Sequence, residues 1–95
     1  MEFIYRVVGE GTERLSRRAI GDSLDVLGPL GTPFALQYGR RHVLVGGGVG
    51  IPPMLFLAET LRAEAAADEV LVLLGGRTAD LILCEDDFAG IGLPP

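Results

Sequence analysis

From His42 onward the apolar positions fall into blocks whose order defines a fold. Residues His42 to Val45 form a short, continuous apolar run, as expected of a strand covered on both faces, and run into Gly46-Gly47-Gly48-Val49-Gly50. Pro52 and Pro53 suit the first turn of a helix, where a missing N–H leaves no bond unmade. Met54, Leu57, Ala58, Leu61 and Ala65 then recur at helical spacing, with Glu59, Arg62 and Glu64 on the outer side. Asp68-Glu69 break this pattern, and Val70 to Leu74 read as a second buried strand that ends at Gly75-Gly76. Strand, glycine loop, helix and strand occupy about 35 residues, the size of a βαβ crossover.

The first part of the chain is patterned differently. Residues Glu2 to Val8 are β-branched and aromatic and stop at Gly9-Glu10-Gly11, which predicts a strand running into a loop. Thr12 to Ile20 place Leu15 and Ala19 four apart among Arg14, Arg17 and Arg18, predicting a short helical turn closed by Gly21-Asp22. Ser23 to Leu27 alternate polar and apolar before Gly28-Pro29 and Gly31-Thr32-Pro33, predicting a second strand and its exit turn. Polar residues and a glycine interrupt the apolar pattern at Gln37 to Arg40. The boundary is therefore expected there, with antiparallel β structure before it and parallel α/β structure after it.

Composition narrows the function. The chain is 48% hydrophobic and 22% charged, outside the range that keeps chains disordered. A net charge of -5 argues against nucleic acid or an anionic membrane surface as partner, since both require a basic face. No apolar run approaches the ~20 residues of a membrane span, and the start of the chain lacks a secretory pattern. With one cysteine, Cys84, no internal disulfide can form, and the expected location is cytoplasmic. Cys84 lies in the apolar run Leu81-Ile82-Leu83-Cys84, the setting of a buried, inert thiol. Glu85-Asp86-Asp87 read as a solvated helix start in preference to a cation site, and His42, beside Arg40 and Arg41, as a linker or hinge residue.

The glycine loop carries the chemistry. Backbone amides at a helix start point outward, and the helix dipole adds partial positive charge, so a glycine loop feeding such a terminus suits a diphosphate. A plain tight turn accounts for the glycines as well; the strand before and the proline-started helix after favour the diphosphate. No Gly-Lys-Ser or Gly-Lys-Thr follows, so this is not a Walker loop. Nor is it a regular Rossmann fingerprint: the second strand ends in Gly75-Gly76-Arg77-Thr78 where an acidic residue would hold the ribose. Arg77 favours a phosphate contact.

Three stretches, Tyr5 to Ser16 (YRVVGEGTERLS), Gly21 to Phe34 (GDSLDVLGPLGTPF) and His42 to Leu61 (HVLVGGGVGIPPMLFLAETL), together resemble the ferredoxin-reductase-like flavoprotein family. The resemblance covers nearly the whole chain. It implies an α+β fragment: the end of an antiparallel FAD-binding β-barrel in residues 1–38, then the first βαβ unit of a parallel α/β NAD(P)-binding domain in residues 39–95. By the same resemblance Ile4, Tyr5 and Arg6 line the flavin, and Gly11 and Thr12 contact its ring or pyrophosphate. Gly47, Gly48 and Gly50 approach the NAD(P) diphosphate, with Arg77 and Thr78 at the mouth of the crevice. No catalytic residue and no metal ligand is expected.

Departures from the family pattern bear on the whole protein. The family's flavin-binding Arg-Pro-x-Ser segment is missing, as are the second half of the nucleotide domain and the cysteine-rich segment that binds a [2Fe–2S] cluster. The chain is therefore expected to be a fragment, inactive alone, of a subunit that relays electrons between a nicotinamide nucleotide and FAD. Onward transfer would run through the cluster to a catalytic subunit in a hetero-oligomer. A hydrogenase or sulfide dehydrogenase subunit shares the same motifs. A truncated, non-catalytic nucleotide-binding module is the alternative outside the enzymes.

Overall fold

Two apolar runs separated by a helix of suitable length can pair in parallel, and they do. The computed structural model describes residues 2–95, in two compact units, one ending at Leu36 and one running Gln37–Pro95. In the second unit β1 (Arg41–Gly47) and β2 (Glu69–Gly75) form a two-stranded parallel sheet, in register from Arg41 opposite Glu69 to Gly47 opposite Gly75. Helix α2 (Ile51–Glu64) makes the crossover, entered through a 3₁₀ turn at Gly48–Gly50. Pro52 stands in its first turn, as expected.

One face of the sheet is covered. Leu44 and Val72 point inward and join Ile51, Ala58 and Leu61 of α2, with Phe88 of the short helix α3 (Glu85–Gly90) and Leu93. Val43, Val45, Leu71 and Leu73 point the other way and are about half exposed or more. The expectation that β1 is covered on both faces is thus corrected: its residues alternate buried and exposed because the described residues supply a helical layer to one side alone. Glu69, grouped with the pattern-breaking pair, is the first residue of β2 and forms an ion pair with Arg41 at 2.7 Å.

The first unit departs further from its pattern. Glu2 to Val8 and Ser23 to Leu27 form no ladder, and the first unit contains no strand among the described residues. A strand is completed by hydrogen bonds to a neighbour, and neither segment has one; Leu24, Val26 and Leu27 remain exposed. Gly9-Glu10-Gly11, expected as a loop, instead begins helix α1 (Gly9–Ser16), which ends earlier than the predicted helical turn. Glu10 pairs with Arg14 and Glu13 with Arg17, each four residues on, an arrangement that favours a helix. Thr12 Oγ1 accepts the Val8 N–H at 2.7 Å and donates to the Val8 carbonyl at 2.8 Å, fixing the first turn.

Candidate functional site at the carboxyl edge of the parallel sheet

Both strands end in glycine, side by side, at the carboxyl edge where parallel α/β units bind ligands. Gly47 is still extended, and the chain then turns through Gly48 at φ +55 into α2. The Ile51 N–H is taken by the Gly48 carbonyl, and Pro52 and Pro53 have none.

The glycines of this turn have different reasons to be glycine. A Cβ on Gly46 would meet the Ile51 Cα at 3.1 Å and the Gly50 carbonyl oxygen at 3.3 Å, so Gly46 lets α2 pack against the strand. Sequence reasoning counted Gly46 in the loop and missed this; its place at the end of an apolar run was the available signal. A Cβ on Gly48 or Gly50 would meet nothing within 4 Å, and one on Gly47 only the Gly75 carbonyl oxygen at 3.8 Å. Gly48 requires glycine for its positive φ; Gly50, with φ -81, has no conformational need of it. The open space above these two residues is what a diphosphate approaching backbone amides requires.

Arg77 and Thr78 follow β2 at the same edge, both exposed. Arg77 makes no ion pair among the described residues. Thr78 precedes a 3₁₀ turn at Ala79–Leu81, its carbonyl accepting the Leu81 N–H at 3.1 Å. Gly47, Gly48, Gly50, Arg77 and Thr78 thus belong to one edge of the second unit.

Ile4, Tyr5, Arg6, Gly11 and Thr12 belong to the first unit. Ile4 and Tyr5 are exposed, and the Thr12 hydroxyl is engaged with Val8. Gly11 lies in the first turn of α1, whose leading amides have no acceptor within the helix. Cys84 is half-buried and left-handed, with φ 62, and its carbonyl caps α3. Glu85, Asp86 and Asp87 form the first turn of α3, the helix start expected of them. His42, read as a hinge, is instead bonded to Asp68, 26 residues away, a pairing that no local pattern announces.

A strand-turn-helix-strand unit with an open glycine turn at its carboxyl edge has the form of a nucleotide-binding unit. No family profile matches the chain. Curated relatives do, and they are electron-transfer subunits of an oxidoreductase. Each is named dihydroorotate dehydrogenase B (NAD(+)), electron transfer subunit: those of Geobacillus sp. (strain WCH70), Bacillus caldolyticus and Bacillus cereus (strain B4264) are 45%, 42% and 41% identical to this chain. The similarity covers 94% of this chain, which spans 35% of the length of these relatives. No helix among the described residues is long and apolar enough to cross a membrane.

Proposed function

We propose that these 95 residues are the nucleotide-facing part of a flavoprotein subunit that passes electrons between a nicotinamide nucleotide and FAD, in a dihydroorotate dehydrogenase of pyrimidine biosynthesis. The observation that carries this reading is the open turn at Gly48–Gly50, in a chain 41–45% identical to subunits of that name. In this reading residues 39–95 begin the NAD(P)-binding domain and residues 1–38 end the FAD-binding barrel.

Within the second unit, the outward amides of the glycine turn hold the diphosphate, Gly48 supplies the turn, Gly47 and Gly50 leave room beside it, and Arg77 and Thr78 meet it from the segment after β2. The relatives' names carry NAD(+), which favours NAD as the nucleotide. In the first unit, the leading amides of α1 at Gly9–Gly11 suit the flavin pyrophosphate, and Ile4, Tyr5 and Arg6 flank the ring. When bound, the two cofactors supply the hydride and electron chemistry; the protein contributes binding and orientation. Cys84 alone cannot ligate a [2Fe–2S] cluster, so the onward path to a catalytic partner subunit depends on residues other than these.

Calorimetric titration with NAD(+) tests the reading. Binding that is abolished by substitutions in the glycine turn supports it. Binding that ignores them sinks it. A second reading, a nucleotide-binding module without flavin, is favoured by the first unit's exposed Ile4 and Tyr5 and the lack of strands among its described residues, and a flavin absorbance spectrum separates the two.

A further inference from the structure

At the amino ends of the two strands, the opposite edge of the sheet from the glycine turn, the chain entering β1 is tied to the connection between α2 and β2. The Gly39 N–H donates to both oxygens of Asp68, at 3.1 and 3.0 Å, and the Arg40 N–H donates to Oδ2 at 3.3 Å. His42 Nε2 lies 2.9 Å from the same Oδ2, and the two side chains are 13% and 9% exposed. Gly39 has φ +72, a conformation that turns successive amides toward one side and forms the concave donor pair that elsewhere receives an anion. Here the anion is the protein's own carboxylate.

The surrounding charges are matched across the same edge. The Tyr38 hydroxyl donates to Glu64 near the end of α2, and Arg41 pairs with Glu69 across the ladder. Arg40 contributes its amide to Asp68 and a cationic side chain outside these pairs. Asp68 is thus met by the Gly39 and Arg40 amides of the preceding segment and by His42 of β1, while Tyr38 and Glu64, and Arg41 and Glu69, are paired with one another.

We propose that Asp68 is an acid-released clasp: while charged it fastens the segment Gln37–Arg40 to the βαβ unit, and when protonated it lets that segment go. The chemistry of the cluster dictates the direction. An ionised carboxylate only accepts, and three donors converge on this one; protonation turns Oδ1 from acceptor to donor beside the Gly39 amide and leaves the three donors one uncharged oxygen to share, so each bond loses its charge assistance. The bond from His42 outweighs the cost of burying the charge and, with the Arg40 and Gly39 amides and the ring's charge, holds Asp68 below the usual carboxylate range. The fastening is thus complete above the pH at which an unfolded aspartate ionises, and it is lost as pH falls below that range.

Amide chemical shifts of the 95-residue chain, followed by nuclear magnetic resonance from about pH 7 to about pH 2, test this, with the ordinary aspartate value of about 3.9 as reference. The Gly39 and Arg40 amide protons are expected to move upfield together on acidification, with one midpoint below that reference, while the Gly46–Gly50 amides do not follow. In Asp68→Asn that step disappears and the Gly39 amide exchanges with solvent at least tenfold faster. His42→Gln, which keeps a donor near the carboxylate but no ring charge, retains the step with a raised midpoint. Flat Gly39 and Arg40 shifts in the unaltered chain, or a midpoint at the ordinary value, overturn the proposal even where the variants fail to fold. An unchanged step in Asp68→Asn overturns it as well.

Discussion

Replacing Gly50 by alanine separates the two reasons a glycine can stand in the turn before α2. With φ -81 and nothing within 4 Å of an added Cβ, position 50 accepts alanine without strain. The unfolded chain loses freedom by the change, so the fold is expected to gain about 0.4–1 kcal/mol. The same methyl enters the space assigned to the diphosphate and pushes it off the turn amides. Losing one amide bond to a charged oxygen removes about 1.5–3 kcal/mol, roughly a tenfold to hundredfold rise in the Kd for NAD(+). The assay pairs calorimetric titration with thermal unfolding, in a chimaera where this chain replaces the matching third of the Bacillus caldolyticus relative. Two controls bracket it. Gly46→Ala forces a Cβ to within 3.1 Å of the Ile51 backbone and should lose about 1–3 kcal/mol of stability. Gly48→Ala, at φ +55, should lose about 1–2 kcal/mol along with affinity. An unchanged Kd in Gly50→Ala, with the fold intact, would refute the assignment of the turn to the diphosphate.

Arg77→Ala in the same chimaera should weaken NAD(+) binding several-fold and flatten its dependence on salt, because an exposed arginine acts on a phosphate through a screened interaction; titrations at low and high ionic strength read both effects. The 95-residue chain alone should emerge colourless from gel filtration in excess FAD, since Ile4 and Tyr5 stand exposed in a unit whose described residues form no strand; co-elution of one flavin per chain would contradict this. Phe88→Ala, at a fully buried position, should cost about 3–5 kcal/mol, measured by denaturant unfolding, and should unfold the second unit if its stability is near the low end for small domains.

The second unit was legible because its signals are local and agree with one another. An apolar run, a glycine cluster, prolines at a helix start and apolar positions at helical spacing all point to one strand-turn-helix-strand unit. What the pattern concealed there is pairwise: the coverage of one sheet face, the packing role of Gly46, and the bond between His42 and Asp68. The first unit was read less well for a related reason. Residues such as Phe3, Tyr5, Val7 and Val26 have the side chains of strands, but a strand exists through its neighbour, and propensity carries no record of whether a neighbour is present. Helix α1 was misplaced because its glycines outweighed, in the reading, the Glu10–Arg14 and Glu13–Arg17 spacing that was visible all along.

The parallel register sets an order of events during synthesis. Arg41 pairs with Glu69, 28 positions later, and every rung down to Gly47 and Gly75 spans the same distance. At about 5–20 residues per second, β1 leaves the ribosome roughly 1.5–6 seconds before its partner exists. Helix α2 can form in that interval, since its bonds are local and helices close in about a microsecond. The sheet cannot, and closing so long a loop is what slows parallel pairing. Leu44 therefore has α2 as its first shelter, and β2 arrives afterwards, to complete a layer that the helix has already begun to cover.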